Sequence, residues 1–203
     1  MFVQVIQGRA RDAAGLRGAV ERWSRDLAPD AVGWLGSTGG VTDDGRFIAL
    51  VRFESAEAAR RNSDRPEQDR WWSETSALLD GEAAFADSEN VTVDVTGGDP
   101  DRAGFVQVMR GRSSDPQRAK ELMDQDADKW AAFRPEVLGS VAVGHPGGGY
   151  TMAMYFTSEA DAREGERKQP PPELAAQMEQ MDKLSLGEPE FFDLPHPWIH
   201  SPT

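Results

Sequence analysis

The sequence predicts an α+β fold made of two similar halves, each with the element order β-α-β-β-α-β. Three observations lead to this prediction. The opening segment of the chain returns near its middle, strand and helix patterns alternate in the same order in both halves, and a turn-rich segment separates the halves. With 203 residues, the chain is long enough to bury a sizeable core in one or two domains.

The internal repeat is clearest in the first strand. FVQVIQGR at 2–9 returns as FVQVMRGR at 105–112, and the same shift of 103 residues superposes Leu35-Gly36-Ser37 on Leu138-Gly139-Ser140. From Gly81, which aligns with Gly187, the shift is 106 residues. The second half therefore carries three additional residues, which we place near Pro170-Pro171-Pro172.

The first half contains runs with strand or helix periodicity, separated by turn and capping residues. Thr42-Asp43-Asp44-Gly45 joins two apolar runs and is typical of a β-hairpin turn. The predicted elements are a strand at 2–7, a helix at 12–28, strands at 33–41 and 46–53, a helix capped by Ser55 that breaks near Pro66 and resumes through Leu79, and an extended segment after Gly81.

The second half repeats this order, which is that of the ferredoxin-like unit. Its predicted elements are a strand at 105–110, a helix after Asp115-Pro116, strands near 137–143 and 149–156, a helix from Ser158, and an end segment that includes Phe191-Phe192. The linker Thr96-Gly97-Gly98-Asp99-Pro100-Asp101 is rich in turn residues. We therefore expect ferredoxin-like repeats at 1–96 and 104–203, with a linker at 97–103.

Helices cover one face of the sheet in such a repeat, so the other face needs a cover. That face bears either Phe2 and Ile6 or Val3 and Val5, according to the register. A second sheet can cover it, so we expect the two repeats to form an α+β barrel within one chain. The protein is then expected to be a monomer that acts as an internal pseudo-dimer, or a weak homodimer.

Composition excludes several classes of protein. Acidic residues outnumber basic ones by 35 to 22, for a net charge of −13, so nucleic-acid phosphates would be repelled. The absence of cysteine excludes disulfides, thiolate metal sites and cysteine nucleophiles. No apolar run reaches the ~20 residues of a membrane span, and MFVQVIQGR lacks the features of a signal peptide. We expect a cytoplasmic protein with neither nucleic-acid nor membrane partners.

In these repeated segments the chain resembles a tandem form of the antibiotic-biosynthesis-monooxygenase-like proteins, which belong to the dimeric α+β barrel superfamily. The resemblance rests on the FVQVIQGR and FVQVMRGR strands, on FIALVRFES and YTMAMYFTS running into a serine-capped helix, and on the helix starts AEAARR and ADAREG. It covers nearly the whole chain. The superfamily includes cofactor-independent oxygenases that convert phenolic polycyclic substrates to quinones, haem-degrading enzymes, isomerases and members with no known activity, so the fold does not choose an activity.

Gln4 and Gln107 occupy equivalent mid-strand positions between apolar residues, where an amide needs hydrogen-bond partners. They are candidate ligand-orienting groups, or they bond each other or nearby backbone. Arg9 and Arg112 end the same strands and are candidates to hold an anionic ligand group. Alternatively, these arginines are solvated, or paired with the aspartates three residues further on.

Trp71 and Trp72 lie on the second helix of the first half, where the haem-degrading branch also has a tryptophan. They are candidate walls for a flat ligand, or simply core residues. The equivalent residues of the second half are Gln177 and Met178, so a pocket, if formed, is expected in the first half.

Candidates for proton transfer are few. Tyr155, on the third strand of the second half, is a candidate to activate a phenolic substrate, and His145, in a glycine-rich hairpin loop, is a candidate general base. The alternative interpretation of His145 is a solvated loop residue, and Tyr155 likewise has an alternative without a functional role.

Cofactor and metal sites are not expected. The haem-degrading branch uses an Asn, a His and a Trp, whereas Asn62 and Asn90 both lie outside the first strands and neither second helix contains a histidine. Pro197 prevents a helical metal pair between His196 and His200. The sequence contains neither a phosphate loop nor a dinucleotide-binding motif.

Two hypotheses of function follow. The first, which the resemblance implies, is a barrel that binds a small hydrophobic or aromatic molecule and acts as a cofactor-independent monooxygenase on a phenolic or polycyclic substrate. The second is a non-catalytic barrel that serves as a ligand carrier or an interaction module. An open, aromatic-lined cavity would favour the first hypothesis, and a filled interior the second.

Overall fold

A computed structural model describes residues 1–95 and 97–202 of the protein. The chain divides into two compact units. Unit 1 comprises Met1–Val91 and His196–Thr203, and unit 2 comprises Thr92–Pro195. The ends of the predicted repeats, at residues 96 and 203, lie outside the described residues. The predicted division into repeats and linker therefore stays a statement about the sequence.

The first part of the chain forms the predicted strands and helices, followed by one additional short strand. In order, these are β1 (Phe2–Arg9), α1 (Ala13–Asp26), β2 (Trp34–Val41), β3 (Arg46–Phe53), α2 (Ala56–Ser63), α3 (Pro66–Ser76), β4 (Ala84–Ser88) and β5 (Val91–Asp94).

The second part repeats the order, with its first helix in two pieces. Its elements are β6 (Phe105–Arg112), α4 (Pro116–Asp124), α5 (Ala127–Phe133), β7 (Val137–Gly144), β8 (Gly149–Phe156), α6 (Glu159–Glu166), α7 (Pro172–Leu184), β9 (Glu190–Leu194) and β10 (Trp198–His200).

Each unit is built on a five-stranded sheet. The strand order is β10-β2-β3-β1-β4 in unit 1 and β5-β7-β8-β6-β9 in unit 2. Four strands of each sheet have the ferredoxin-like order, so the predicted fold class is confirmed. The fifth strand of each sheet was not predicted: β10 follows β9 in sequence but joins β2, and β5 follows β4 but joins β7.

The local signals for the helices act as predicted. The Ser55 side chain accepts a hydrogen bond from the backbone N–H of Ala58 at the start of α2, and Ser158 does the same for Asp161 at the start of α6. Arg65 is extended because it precedes Pro66, and this separates α2 from α3. In each unit, the segment after the third strand therefore forms two short helices and not one long helix.

The first helix of unit 2 differs from the prediction. It is broken at Asp126, whose φ of 56° is left-handed and therefore incompatible with a continuous helix. Residues 170–172, where we placed the three additional residues, lie at the end of the connection from α6 to α7. The two units therefore share strand order but not helix geometry.

The register decides which face of β1 packs under the helices. Phe2 clusters with Trp23 of α1, and Ile6 clusters with Leu16 of α1, so these side chains face the helices of unit 1. Val3 and Val5 project from the opposite face and are also buried. The prediction that a second sheet covers this face, and with it the predicted monomer, stays a prediction.

Among the described residues, none of the helices combines the length and the apolar character needed to cross a membrane.

Candidate functional site

Unit 1 contains a cavity of about 320 Å³ between its sheet and its helices. The sheet side includes Gln4 and Ile6 of β1, residues of β2 and β3, and Trp198 of β10. The helix side is formed by residues of α1, α2 and α3. Phe85, at the edge, is 50% exposed and Asp69 is also exposed, so the cavity opens to solvent on this side.

Small side chains on β3 leave space between the sheet and the helices. Ala49 pairs with Ile6 on one side and Gly39 on the other, and Val51 pairs with Gln4 and Ser37. Side chains two residues apart on a strand share a face, so these two rows lie next to each other under the helices.

Aromatic rings form much of the wall. Trp71 and Trp72 have ring centroids 6.1 Å apart, and Trp72 packs edge-on against Phe85 at 5.4 Å. Trp71 also contacts Trp23 at 6.2 Å. Across the floor, Trp198 packs against the Phe47 ring at 6.1 Å. Such walls suit a flat ligand, because offset and edge-on aromatic contacts add to the burial of apolar surface.

Two of these indoles are held by hydrogen bonds to the helices. Trp71 Nε1 donates to the carbonyl oxygen of Ala19 at 2.9 Å, and Trp23 Nε1 donates to Gln68 Oε1 at 2.6 Å. The orientation of these two rings is therefore fixed before any ligand arrives.

The polar groups on the wall are few. Gln4 Nε2 donates to Asp87 Oδ1 on the adjacent strand β4 at 3.1 Å. Asn62 is buried, and its Oδ1 accepts a hydrogen bond from Arg65 at 3.1 Å. Thr75 is 2% exposed, and its hydroxyl has no partner among the described residues. A largely apolar cavity with a few polar groups is typical of small-molecule sites.

His200 lies beside this floor and was not singled out as a candidate from the sequence. It pairs with Ser37, which lines the cavity, and its Nδ1 is buried without a hydrogen-bond partner in the described part of the chain. Burial lowers the pKa of His200, and the Glu21 carboxylate opposes this shift. Burial therefore favours the neutral form of His200.

Of the predicted site residues, Gln4, Trp71 and Trp72 come together in the cavity. Arg9 does not line it: its guanidinium donates to the backbone oxygen of Asp44 at 3.0 Å, in the β2–β3 turn. The Arg9 side chain is exposed, which agrees with the alternative of a solvated arginine, and its contact is with Asp44 and not with Asp12.

The remaining candidates lie in unit 2, whereas every residue that lines the cavity belongs to unit 1. Gln107 donates to Asp193 at 2.8 Å, and Arg112 donates to the backbone oxygen of Gly147 at 3.1 Å. Tyr155 is buried in β8. His145 lies in the predicted loop, 2.9 Å from the Thr151 hydroxyl, and its pKa is lowered by burial and by the charge of Arg110.

Sequence reasoning missed Phe47 and Trp198, which pack in one cluster with Trp72, and His200, which pairs with Ser37 of the cavity floor. Trp198 and His200 lie on β10, which is far from the rest of unit 1 in sequence and too short to show a strand pattern. Phe47 could have been found, because it alternates with Ala49 and Val51 on the same face of β3.

Among the described residues, no cluster of three or more His, Cys, Asp or Glu side chains could hold a metal ion. The ionisable residue on the cavity wall is Asp69, and it lies at the exposed edge.

Solved structures share this fold over the whole chain. A protein from Lactobacillus acidophilus, provisionally described as a monooxygenase, has a TM-score of 0.75 and 11% identity, covering 98% of this chain and 96% of that one. A protein from Fusobacterium nucleatum with the same description has a TM-score of 0.74 and 10% identity, covering 98% and 94%. An anthrone oxidase-like protein has a TM-score of 0.65 and 14% identity, covering 98% and 93%.

The chain therefore shares its fold with these three proteins over almost its whole length. Comparison with protein-family models and with curated proteins gave no match. At identities of 10 to 14%, these likenesses concern the fold and carry no assignment of substrate or activity.

Proposed function

We propose that unit 1 binds a flat, largely apolar aromatic molecule in its cavity and oxidises a phenolic or polycyclic substrate with O₂, without a cofactor. The observation that carries the proposal is the cavity itself, of about 320 Å³, with Trp72 and Phe85 on one side and Phe47 and Trp198 on the other. Its volume lies at the lower end of the ~300–1,000 Å³ of ordinary ligand pockets, which suits a compact ring system.

The reaction balances without an additional reductant. A phenol gives up its hydroxyl proton, the electron-rich ring carbon bonds to O₂, and loss of water from the resulting hydroperoxide leaves a quinone. One oxygen atom enters the product and the other leaves as water. The protein's part is to bind the phenol and to orient it for reaction with O₂.

Gln4 is the polar residue best suited to orient the substrate oxygen, because it lies on the floor of the cavity. Its neighbours there are the apolar Val51 on one side and the edge strand β4 on the other. Trp71 and Trp72 would stack against the ring system. The released proton would leave through the open edge, near Asp69. Tyr155 and His145 take no part in this scheme.

A second candidate function is a non-catalytic ligand carrier. It is favoured by the scarcity of acid–base groups on the wall, where Asp69 is exposed and Thr75 and Ser37 carry neutral hydroxyls. Both functions require binding, and they differ in whether O₂ is consumed.

The test uses two probes. Titration of 2-naphthol, followed by tryptophan fluorescence, measures binding. An oxygen electrode with anthrone, whose enol form is a phenol, measures turnover. Trp72→Ala is expected to weaken 2-naphthol binding about tenfold, as loss of one aromatic contact of ~1.5 kcal/mol would. The matched control is Met178→Ala, at the equivalent position of unit 2.

Consumption of one O₂ per anthrone, lost in Trp72→Ala and kept in the control, would support the oxygenase. Binding of 2-naphthol without O₂ consumption would favour the carrier. If 2-naphthol does not bind, or binds equally well to Trp72→Ala, the proposed site is wrong.

A further inference from the structure

The amide of Gln4 hydrogen-bonds a carboxylate on the neighbouring strand, at the exposed edge of the sheet. Gln4 pairs directly with Asp87 across β1 and β4, and its Nε2 lies 3.1 Å from Asp87 Oδ1. A carboxylate has only acceptor oxygens, so the NH₂ end of the amide, and not its carbonyl end, must face Asp87. The Oε1 atom of Gln4 therefore lies at the end of the amide away from Asp87.

That oxygen has no hydrogen-bond donor among the described residues. The neighbour of Gln4 on its other side is Val51, whose side chain is apolar. Gln4 also lines the cavity, whereas Asp87 does not. The cavity wall thus carries an amide oxygen that can accept a hydrogen bond from a bound molecule, and its direction is set by a residue outside the cavity.

We propose that Gln4, positioned by Asp87, makes this site selective for aromatic molecules that donate a hydrogen bond, such as phenols and enols, over analogues of the same shape that only accept one. The inference rests on the proposed function and specifies its substrate class. A phenolic hydroxyl meets Oε1 as a donor, whereas an ether or a carbonyl meets it acceptor to acceptor and leaves both oxygens unpaired.

Among the described residues, the equivalent aspartate of unit 2 has additional contacts that Asp87 does not have. There, Gln107 donates to the equivalent Asp193, but Asp193 is also held by Arg163 of α6, whose guanidinium packs on the Phe105 ring. Asp193 therefore ties a helix to the sheet.

In unit 1 the residue equivalent to Arg163 is Arg60, and it bonds Asp64 on its own helix segment instead. Gln4 is the described partner of Asp87. Asp87 can therefore be changed with little effect on the fold, and the variant Asp87→Asn isolates its effect on the Gln4 amide.

The experiment measures Kd for three probes of one ring size: 2-naphthol, 2-methoxynaphthalene and naphthalene. The wild-type chain is expected to bind 2-naphthol about tenfold more tightly than 2-methoxynaphthalene, the value of one hydrogen bond. In Asp87→Asn, the side chain offers one acceptor and one donor in place of two acceptors. It therefore no longer imposes one orientation on the Gln4 amide, which can also present its NH₂ to the cavity.

In Asp87→Asn the preference for 2-naphthol is therefore expected to fall to about threefold or less, or to reverse, while the Kd of naphthalene stays within about twofold of wild type. A merely structural role for Asp87 would instead weaken all three probes alike. Asp193→Asn, the matched variant in unit 2, is expected to keep the wild-type preference, and its melting temperature monitors the lost Arg163 pair.

Equal binding of 2-naphthol and 2-methoxynaphthalene by the wild type, or an unchanged preference in Asp87→Asn, would overturn this inference and leave the proposed aromatic site intact. Failure of all three probes to bind the wild type would overturn the proposed function and this inference together.

Discussion

The two units have the same strand register, but the side chains on the central strand of each sheet differ in length. Ala49 and Val51 of β3 lie at the centre of the unit 1 sheet, and Met152 and Met154 occupy the equivalent register positions of β8 in unit 2. Methionine is long and adaptable and fills irregular space, whereas alanine and valine do not reach the helices. The two sheets thus share their backbone topology and differ in side-chain length on the strand under the helices.

The helices that cover the two sheets also differ at equivalent positions. In unit 1, Trp71 bonds the Ala19 carbonyl and lines the cavity. In unit 2 the equivalent Gln177 is buried, donates to the backbone oxygens of Leu122 and Gln125, and accepts from Trp130 Nε1 at 2.8 Å. A buried amide with all its partners ties the helices of unit 2 together. At this position, the residue of unit 1 lines the cavity, whereas the residue of unit 2 holds the helices together.

The largest effect is expected when the two methionines of unit 2 are introduced at the equivalent positions of unit 1. In Ala49→Met/Val51→Met, the two long side chains should occupy the cavity and weaken 2-naphthol binding roughly 100-fold, about 2.7 kcal/mol. Calorimetric titration measures the loss. A double variant that folds normally and still binds 2-naphthol with the wild-type Kd would show that the ligand binds elsewhere.

The helix contacts can be compared by removing one amide from each unit. Gln177→Leu leaves Trp130 Nε1 and two backbone oxygens unpaired in a buried site, and should lower the free energy of unfolding by about 2 to 3 kcal/mol. Gln68→Leu in unit 1 removes one bond, to Trp23, at a half-exposed position, and should cost about 1 kcal/mol. Urea unfolding measures both, and equal losses would contradict the assigned difference.

The reverse change on the floor should open space in unit 2. Met152→Ala/Met154→Val removes two half-buried side chains and should destabilise the chain by about 2 kcal/mol, the lower end for such truncations. The same urea assay applies. A loss close to zero would mean that these methionines do not fill space in unit 2.

The smallest expected effect concerns His200, which lies beside the floor of unit 1. Its pKa is lowered by burial, so between the ordinary value of ~6.5 and the lower folded-state value the unfolded chain binds more protons than the folded one. This contribution to stability is complete above that window and is lost as the pH falls through it. His200→Asn should therefore flatten the decline of the unfolding free energy as the pH falls below about 6.5, and an unchanged decline would contradict the assignment.

Much of the fold could be predicted from the sequence because its signals are local. The hairpin at Gly45, the caps at Ser55 and Ser158 and the break before Pro66 each depend on a few neighbouring residues. The strands β5 and β10 could not be predicted, because they are short and owe their pairing to β7 and β2, distant in sequence.

The site was predictable to a smaller extent. Trp71 and Trp72 could be proposed because their repeat equivalents are not aromatic, and Gln4 because a mid-strand amide needs a partner. That this partner is Asp87, and that Trp198 and His200 lie across the floor, depends on sheet register, which a single sequence does not specify at strand edges.

The most direct test of a ligand site in unit 1 is to follow the six tryptophan indole N–H signals by ¹⁵N NMR while 2-naphthol is added. Trp23, Trp71, Trp72 and Trp198 line the cavity, whereas Trp130 bonds Gln177 in unit 2. For a ligand in this cavity, the Trp72 and Trp198 signals are expected to shift most, and the Trp130 signal is expected not to move. Shifts centred on Trp130, or saturable binding that moves none of the four cavity indoles, would contradict it.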